Sequence, residues 1–114
     1  MSTKKEIRKF IVEHSAELKE YATGCYACER NIYLTDKDYL NVEIVDNSFV
    51  KRLIIRLHIE NRQYSIFCAE GLIDNLNSVW RRFRYRFKRT IAEEEEFGRD
   101  AQYLAKLKEV YSLL

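Results

Sequence analysis

The chain has 114 residues, 46% hydrophobic and 13% aromatic, with no proline, three glycines and a net charge of +2. This length makes one domain, 1–114, and the apolar, aromatic content excludes a disordered tail. No apolar run approaches the ~18 residues of a membrane span, and removing the six cations Arg81, Arg82, Arg84, Arg86, Lys88 and Arg89 from +2 leaves −4, so a partner argument must be local.

The start, Met1-Ser2-Thr3-Lys4-Lys5-Glu6, is charged and not an apolar leader, so the chain is expected to stay in the cytoplasm. Thr3 with Glu6 reads as a capping box. Ile7, Phe10, Ile11, His14, Leu18 and Tyr21 then recur at helical spacing, which predicts a helix from about Lys4 to Ala22 with Gly24 as its stop. His14 is expected half-buried on that stripe.

Ile32-Tyr33-Leu34 reads as a short strand or one helical turn, and Thr35 to Asp38 as a turn. Three strand candidates follow. Tyr39 to Val45 sets Leu40, Val42 and Ile44 on one face, and Asp46-Asn47-Ser48 is a turn cluster. Phe49 to Ile59 alternates Leu53, Ile55, Leu57 and Ile59 against Arg52, Ile54, Arg56 and His58. After a turn at Glu60-Asn61-Arg62, Gln63 to Cys68 alternates Tyr64, Ile66 and Cys68 against Ser65 and Phe67. Short turns between alternating runs predict an antiparallel meander.

From Gly71 the period changes. Leu72, Leu76, Val79, Trp80, Phe83 and Phe87 predict a second helix ending near Arg89, with cations in its last turns. Glu93 to Glu96 suit the first turn of a third helix, whose stripe is Phe97, Ala101, Leu104, Leu107, Tyr111 and Leu114. Gly98 within it reads as an exposed weak point relative to alanine. The fold class is α+β in the order α-β-β-β-α-α, a three-stranded antiparallel sheet with helices packed on one face.

Catalytic signatures are missing. The three glycines are isolated at 24, 71 and 98, so there is no phosphate loop, and neither a zincin nor a serine-hydrolase motif occurs. Cys25-Tyr26-Ala27-Cys28 has zinc-knuckle spacing without a second close pair; with Cys68 the count is odd, so no metal, disulfide or cofactor is expected. His58 and Cys68 are expected toward opposite ends of their hairpin. The basic segment suits phosphates, with Tyr85 as a stacking ring. It also suits a charge zipper with Glu93 to Glu96.

Asp38-Tyr39, Leu53-Ile54-Ile55-Arg56, Tyr64, Leu72-Ile73, and Glu93 to Phe97 with Asp100 carry a resemblance. In these residues and their spacing the chain resembles the small phage anti-CRISPR proteins that block a type II-A Cas9 by mimicking DNA at its PAM-reading site. The match runs from about Asp38 to Asp100. It implies one helix, three antiparallel strands and two helices. It also implies an effector-binding surface of Asp38, Glu60, Asn61, Glu93, Glu94 and Glu95. Residues 22–37 read as an insertion, the tip has Arg62 and no glycine, and the basic segment has no counterpart in the family. The resemblance implies a non-enzymatic inhibitor of a Cas9-type effector with its guide RNA, acting in the host bacterial cytoplasm. Arg82, Arg84, Arg86 and Lys88 would then add contacts to RNA or protein. The alternative is a small nucleic-acid-binding module or regulator that uses the basic helix Arg81–Arg89.

Overall fold

The computed structural model describes residues 2–20, 26–46 and 50–114, with backbone alone for 15–20 and 26. The elements are α1 (Thr3–Glu20), β1 (Tyr26–Tyr33), β2 (Tyr39–Asp46), β3 (Lys51–His58) and β4 (Cys68–Leu72). A 3-10 turn (Ile73–Asn75), α2 (Leu76–Phe97) and α3 (Ala101–Ser112) follow. The class is α+β, but the sheet is a four-stranded antiparallel meander, β1-β2-β3-β4, and not three-stranded. Gly24, Cys25 and the Asn47-Ser48 turn lie outside the described residues.

The added strand is β1, formed by the segment read as an insertion. Glu29, Arg30 and Asn31 hide its alternation. Its register pairs Cys28 with Ile44, Arg30 with Val42 and Ile32 with Leu40, which puts Arg30 on the core face. The guanidinium stays at the margin, 4.8 Å from the Phe10 ring centroid and 2.8 Å from Glu13 of α1. An arginine stem can cover apolar surface in this way while its head stays solvated.

In β2 and β3 the alternation holds: Leu40, Val42, Ile44, Leu53, Ile55, Leu57 and, just beyond, Ile59 are buried. The last strand is corrected. Ile66 N–H donates to Leu57 O at 2.8 Å while Leu57 N–H donates to Phe67 O at 3.0 Å. Two residues thus oppose one, a β-bulge that shifts the alternation. Phe67 turns onto Phe83 and Phe87, with centroids at 5.1 and 5.4 Å, and Tyr64 is left 77% exposed. β4 begins only at Cys68, opposite Arg56, so Leu72 belongs to the sheet and not to the second helix. His58 is two residues past Arg56, stacked on Tyr39 at 4.7 Å, so it shares the tip end of the hairpin with Cys68.

The helices all bury into one sheet face. Ile7 and Phe10 of α1, Leu76, Val79, Trp80, Phe83 and Phe87 of α2, and Leu107 and Val110 of α3 join one core with the strands. Ser2, not Thr3, caps α1: its Oγ accepts from Lys5 N–H at 3.3 Å, while Thr3 is the first helical residue and is buried. Gly71 lets α2 lie close on β4, since a Cβ there would sit 2.6 Å from Arg82 Nη2 and 2.7 Å from Val79 Cγ2.

α2 continues eight residues past the expected stop at Arg89, to Phe97. The cations are therefore mid-helix, and Glu93 to Glu96 occupy the last turns of α2 instead of the first turn of α3. Acids there oppose the helix dipole, but glutamate is a good helix former and no breaker precedes Gly98. Arg89 Nε at 3.2 Å from Glu93 and Lys108 Nζ at 2.8 Å from Glu95 offset the dipole locally. The true N-cap of α3 is Asp100, which accepts from Gln102 and Tyr103 N–H at 3.1 and 3.0 Å.

Gly98 stands outside both helices. Its N–H donates to Glu94 O at 2.9 Å, and a Cβ there would meet that oxygen at 2.5 Å and the Glu94 carboxylate closer still. Gly98→Ala is therefore expected to destabilise by about 1 kcal/mol or more, lowering the melting temperature by several degrees. A thermal melt with unchanged or raised midpoint would show that the α2 terminus relaxes freely.

Candidate interaction surfaces

Two surfaces emerge from the way α2 presents its charges. At about 100° per residue, Asn77, Arg81, Arg84, Tyr85 and Lys88 fall on one stripe, and Arg82, Arg86, Arg89 and Glu93 on another. The structure thus separates Arg84 and Lys88 from Arg82 and Arg86, which the sequence groups together. Arg86 Nη1 donates to Cys68 O at 2.7 Å, and with Arg82 it flanks β4.

The first stripe lines a cleft of about 660 Å³ with Lys4 of α1 and Tyr111 of α3. Trp80 closes one side, stacked on Phe83 at 5.4 Å. Tyr111 is an anchor: Arg84 Nη2 donates to its hydroxyl at 3.2 Å, and the Arg84 guanidinium and Lys88 Nζ lie 5.5 and 6.0 Å from its ring centroid. Tyr85 is 65% exposed. Among the described residues no carboxylate lies within 4.0 Å of Lys4, Arg81, Arg84 or Lys88. By contrast Arg30, Arg52, Arg56, Arg62, Arg89, Lys106 and Lys108 each have one. Asn77, Lys4 and Tyr111 were not singled out from the sequence. Helical spacing from Arg81 finds Asn77, but Lys4 and Tyr111 reach the cleft only through tertiary packing.

The second surface is the corner where the β3–β4 tip meets the α2–α3 junction. Glu60 and Asn61 have φ of 57° and 55°, and Arg62 N–H donates to Ile59 O at 3.1 Å, the pattern of a type I′ turn. Without glycine this conformation costs about 1–2 kcal/mol at Glu60, and the corner must hold it. Glu60 N–H donates to Asp38 Oδ1 at 2.9 Å and Asn61 N–H to Lys37 O at 3.0 Å. Arg62 then lies 4.9 Å from the Tyr103 ring centroid, and a shallow groove runs between Arg62, Glu94, Arg99, Asp100, Gln102 and Tyr103. Burial pushes the Tyr103 phenol up, a shift that Arg62 opposes and Glu94 reinforces.

Asp38, expected on the contact surface, is fully buried beneath this corner. Its carboxylate receives the Thr35 hydroxyl at 2.5 Å, Glu60 N–H at 2.9 Å and Lys106 Nζ at 2.8 Å. It therefore joins the β1–β2 turn, the hairpin tip and α3, and cannot touch a partner. The other expected contacts are dispersed, because successive helical residues fan out. Glu93 turns to Arg89, Glu95 to Lys108, and Glu94 to the groove beside the tip. Of the expected contacts, Glu94 lies in the groove that Arg62 lines, and Glu60 and Asn61 form the turn that leads into Arg62. Glu60 Oε2 is 3.8 Å from Arg62.

Burial disfavours the charge on Asp38, but the hydrogen bonds from Lys106, Thr35 and Glu60 N–H outweigh it and hold the carboxyl below the usual value of 3.8. A depressed carboxyl stabilises the fold above its unfolded pKa, and this contribution is lost as pH falls through the lower folded value. The stability gap between the protein and its Asp38→Asn variant is thus expected to be constant near neutrality and to close below about pH 4. Urea melts across pH 2 to 7 check this; a gap that persists at pH 2 would separate it from ionisation.

Among the described residues no group of three or more His, Cys, Asp or Glu side chains is arranged to hold a metal ion, and no helix is long and apolar enough to cross a membrane. No family model, curated protein or solved structure matches this chain.

Proposed function

We propose that the protein is an anti-CRISPR inhibitor of the phage type, which docks on a Cas9-type effector carrying guide RNA and hinders target-DNA engagement. The observation that carries this reading is the corner itself. Arg62, which follows the Glu60-Asn61 tip, stacks on Tyr103 and lines one groove with Glu94, so two segments distant in sequence share that corner. Both lie within the span of the resemblance. With β1 set aside, the remaining elements also run α-β-β-β-α-α.

The intramolecular ion pairs do not prevent such docking. Glu60–Arg62, Glu93–Arg89 and Glu95–Lys108 are about half exposed or more, and surface pairs of this kind contribute about 0–1 kcal/mol. A desolvated bidentate arginine from an effector is worth more, about 1.5–3 kcal/mol per charged hydrogen bond. The effector's DNA-reading cations therefore outcompete the internal ones. The test is a Cas9 cleavage assay comparing the wild-type protein with a Glu60→Ala, Glu94→Ala double variant.

A second reading, a nucleic-acid-binding module, draws on the acid-free cleft along α2. Four cations line it with no carboxylate among its lining residues, whereas on the sheet and at the α2–α3 junction cations such as Arg52, Arg56 and Lys108 sit beside a carboxylate.

A further inference from the structure

We infer that the cleft between α1, α2 and α3 is a binding site for a single-stranded polynucleotide. Its phosphates would lie on Lys4, Arg81, Arg84 and Lys88, and a base would stack on Tyr85. The inference deepens the second reading and rests on it.

Like charges gathered without counter-charge repel one another. Elsewhere on the same helix Arg89 has Glu93 at 3.2 Å, so α2 does not lack the means to pair its cations. The cleft keeps its four lining cations unpaired, and a polyanion completes it. The arginines are also arranged. The Tyr111 hydroxyl and ring fix Arg84 and align Lys88, and Arg8 Nη2 lies 3.5 Å from Asn77 Oδ1 at the rim. Fixing a donor before the ligand arrives lowers the ordering cost of binding.

The aromatic component selects the strand state. Tyr85 stands 65% exposed between Arg81 and Lys88 on the same stripe. A large ring in that position is a π-face flanked by phosphate contacts, the recurring arrangement of single-strand binders. In a duplex the bases are stacked on each other and offer no free face. A single strand can present a phosphate to the cations and a base to the ring together.

The test is fluorescence anisotropy with labelled 12-nucleotide oligo-U, oligo-dT and a duplex RNA of equal length, using the full chain. Oligo-U or oligo-dT is expected to bind at least tenfold tighter than the duplex; comparing the two assigns RNA or DNA as the preferred source. Four phosphate contacts at about 0.7 each give a log–log salt slope near −3, a loss of about fifty-fold from 50 to 200 mM salt. Tyr85→Ala is expected to weaken single-strand binding about tenfold, and Arg81→Glu with Arg84→Glu to abolish it. Arg52→Ala on the far sheet face should leave binding unchanged. Circular dichroism establishes that each variant is folded. Equal binding of duplex and single strand, with no effect of Tyr85→Ala, would overturn the stacking inference and leave the nucleic-acid reading standing. No binding of any oligonucleotide at 50 mM salt would overturn both. Polyglutamate competing as well as oligo-U would identify a general polyanion surface, and hence an acidic protein partner in place of nucleic acid.

Discussion

Replacing Asp38 by alanine is expected to lower the unfolding free energy by about 3 kcal/mol. The side chain is fully buried and accepts from Thr35, Glu60 N–H and Lys106. Removing it leaves the part-buried Glu60 N–H and the Lys106 ammonium without their acceptor and releases the two left-handed residues of the tip, whose conformation that hydrogen bond supports. For a domain of this size the melting temperature should fall by about 10 °C or more. The Glu60 tip is expected to lose order first, read as faster amide exchange at Glu60 and Asn61 with the β2 and β3 amides still protected. A melt within 2 °C of wild type would show that the corner holds without its central carboxylate. Asp38→Asn, which keeps the shape and loses the charge, should fall between the two.

The double variant Glu60→Ala, Glu94→Ala is expected to abolish inhibition in a Cas9 cleavage assay while leaving the fold intact. Glu60 is exposed and Glu94 only partly covered, and surface substitutions of this kind usually shift stability by under about 0.5 kcal/mol. Charged contacts at a packed interface can each be worth about 2 kcal/mol or more, so losing two weakens binding by about a thousandfold. Glu93→Ala, facing Arg89 on another flank, should change inhibition little, as should Arg84→Glu with Arg86→Glu. If the glutamate double variant inhibits normally and the arginine variant does not, DNA mimicry at the corner is wrong and the α2 cations are the working surface.

The boundary between what was legible in the sequence and what was not follows physical lines. Periodicity located β2, β3 and the buried stripe of α2, because Leu40 to Ile59 and Leu76 to Phe87 must each turn one face to the core; in the third helix it found Leu107 but missed the buried Val110, and Phe97, expected on that stripe, ends α2 and is 73% exposed. It failed where one side chain broke the pattern for a tertiary reason: Arg30 sits on the core face of β1 because Phe10 and Glu13 receive it. It failed again at Ile66-Phe67, where the bulge inverts the alternation. The Glu93 run misled because the dipole preference for acids at a helix start is worth less than about 1 kcal/mol. Arg89 and Lys108 offset it where the run ends α2. The candidate sites divide in the same way. The sequence alone determined that Arg81 to Arg89 and Glu93 to Glu96 carry opposite charge side by side. Only the tertiary structure decided that Asp38 is an internal strut, that Glu94 shares a groove with Arg62, and that Lys4 and Tyr111 complete a cleft with Arg81, Arg84 and Lys88. Each depends on which distant segments pack together, and spacing along one segment does not encode that.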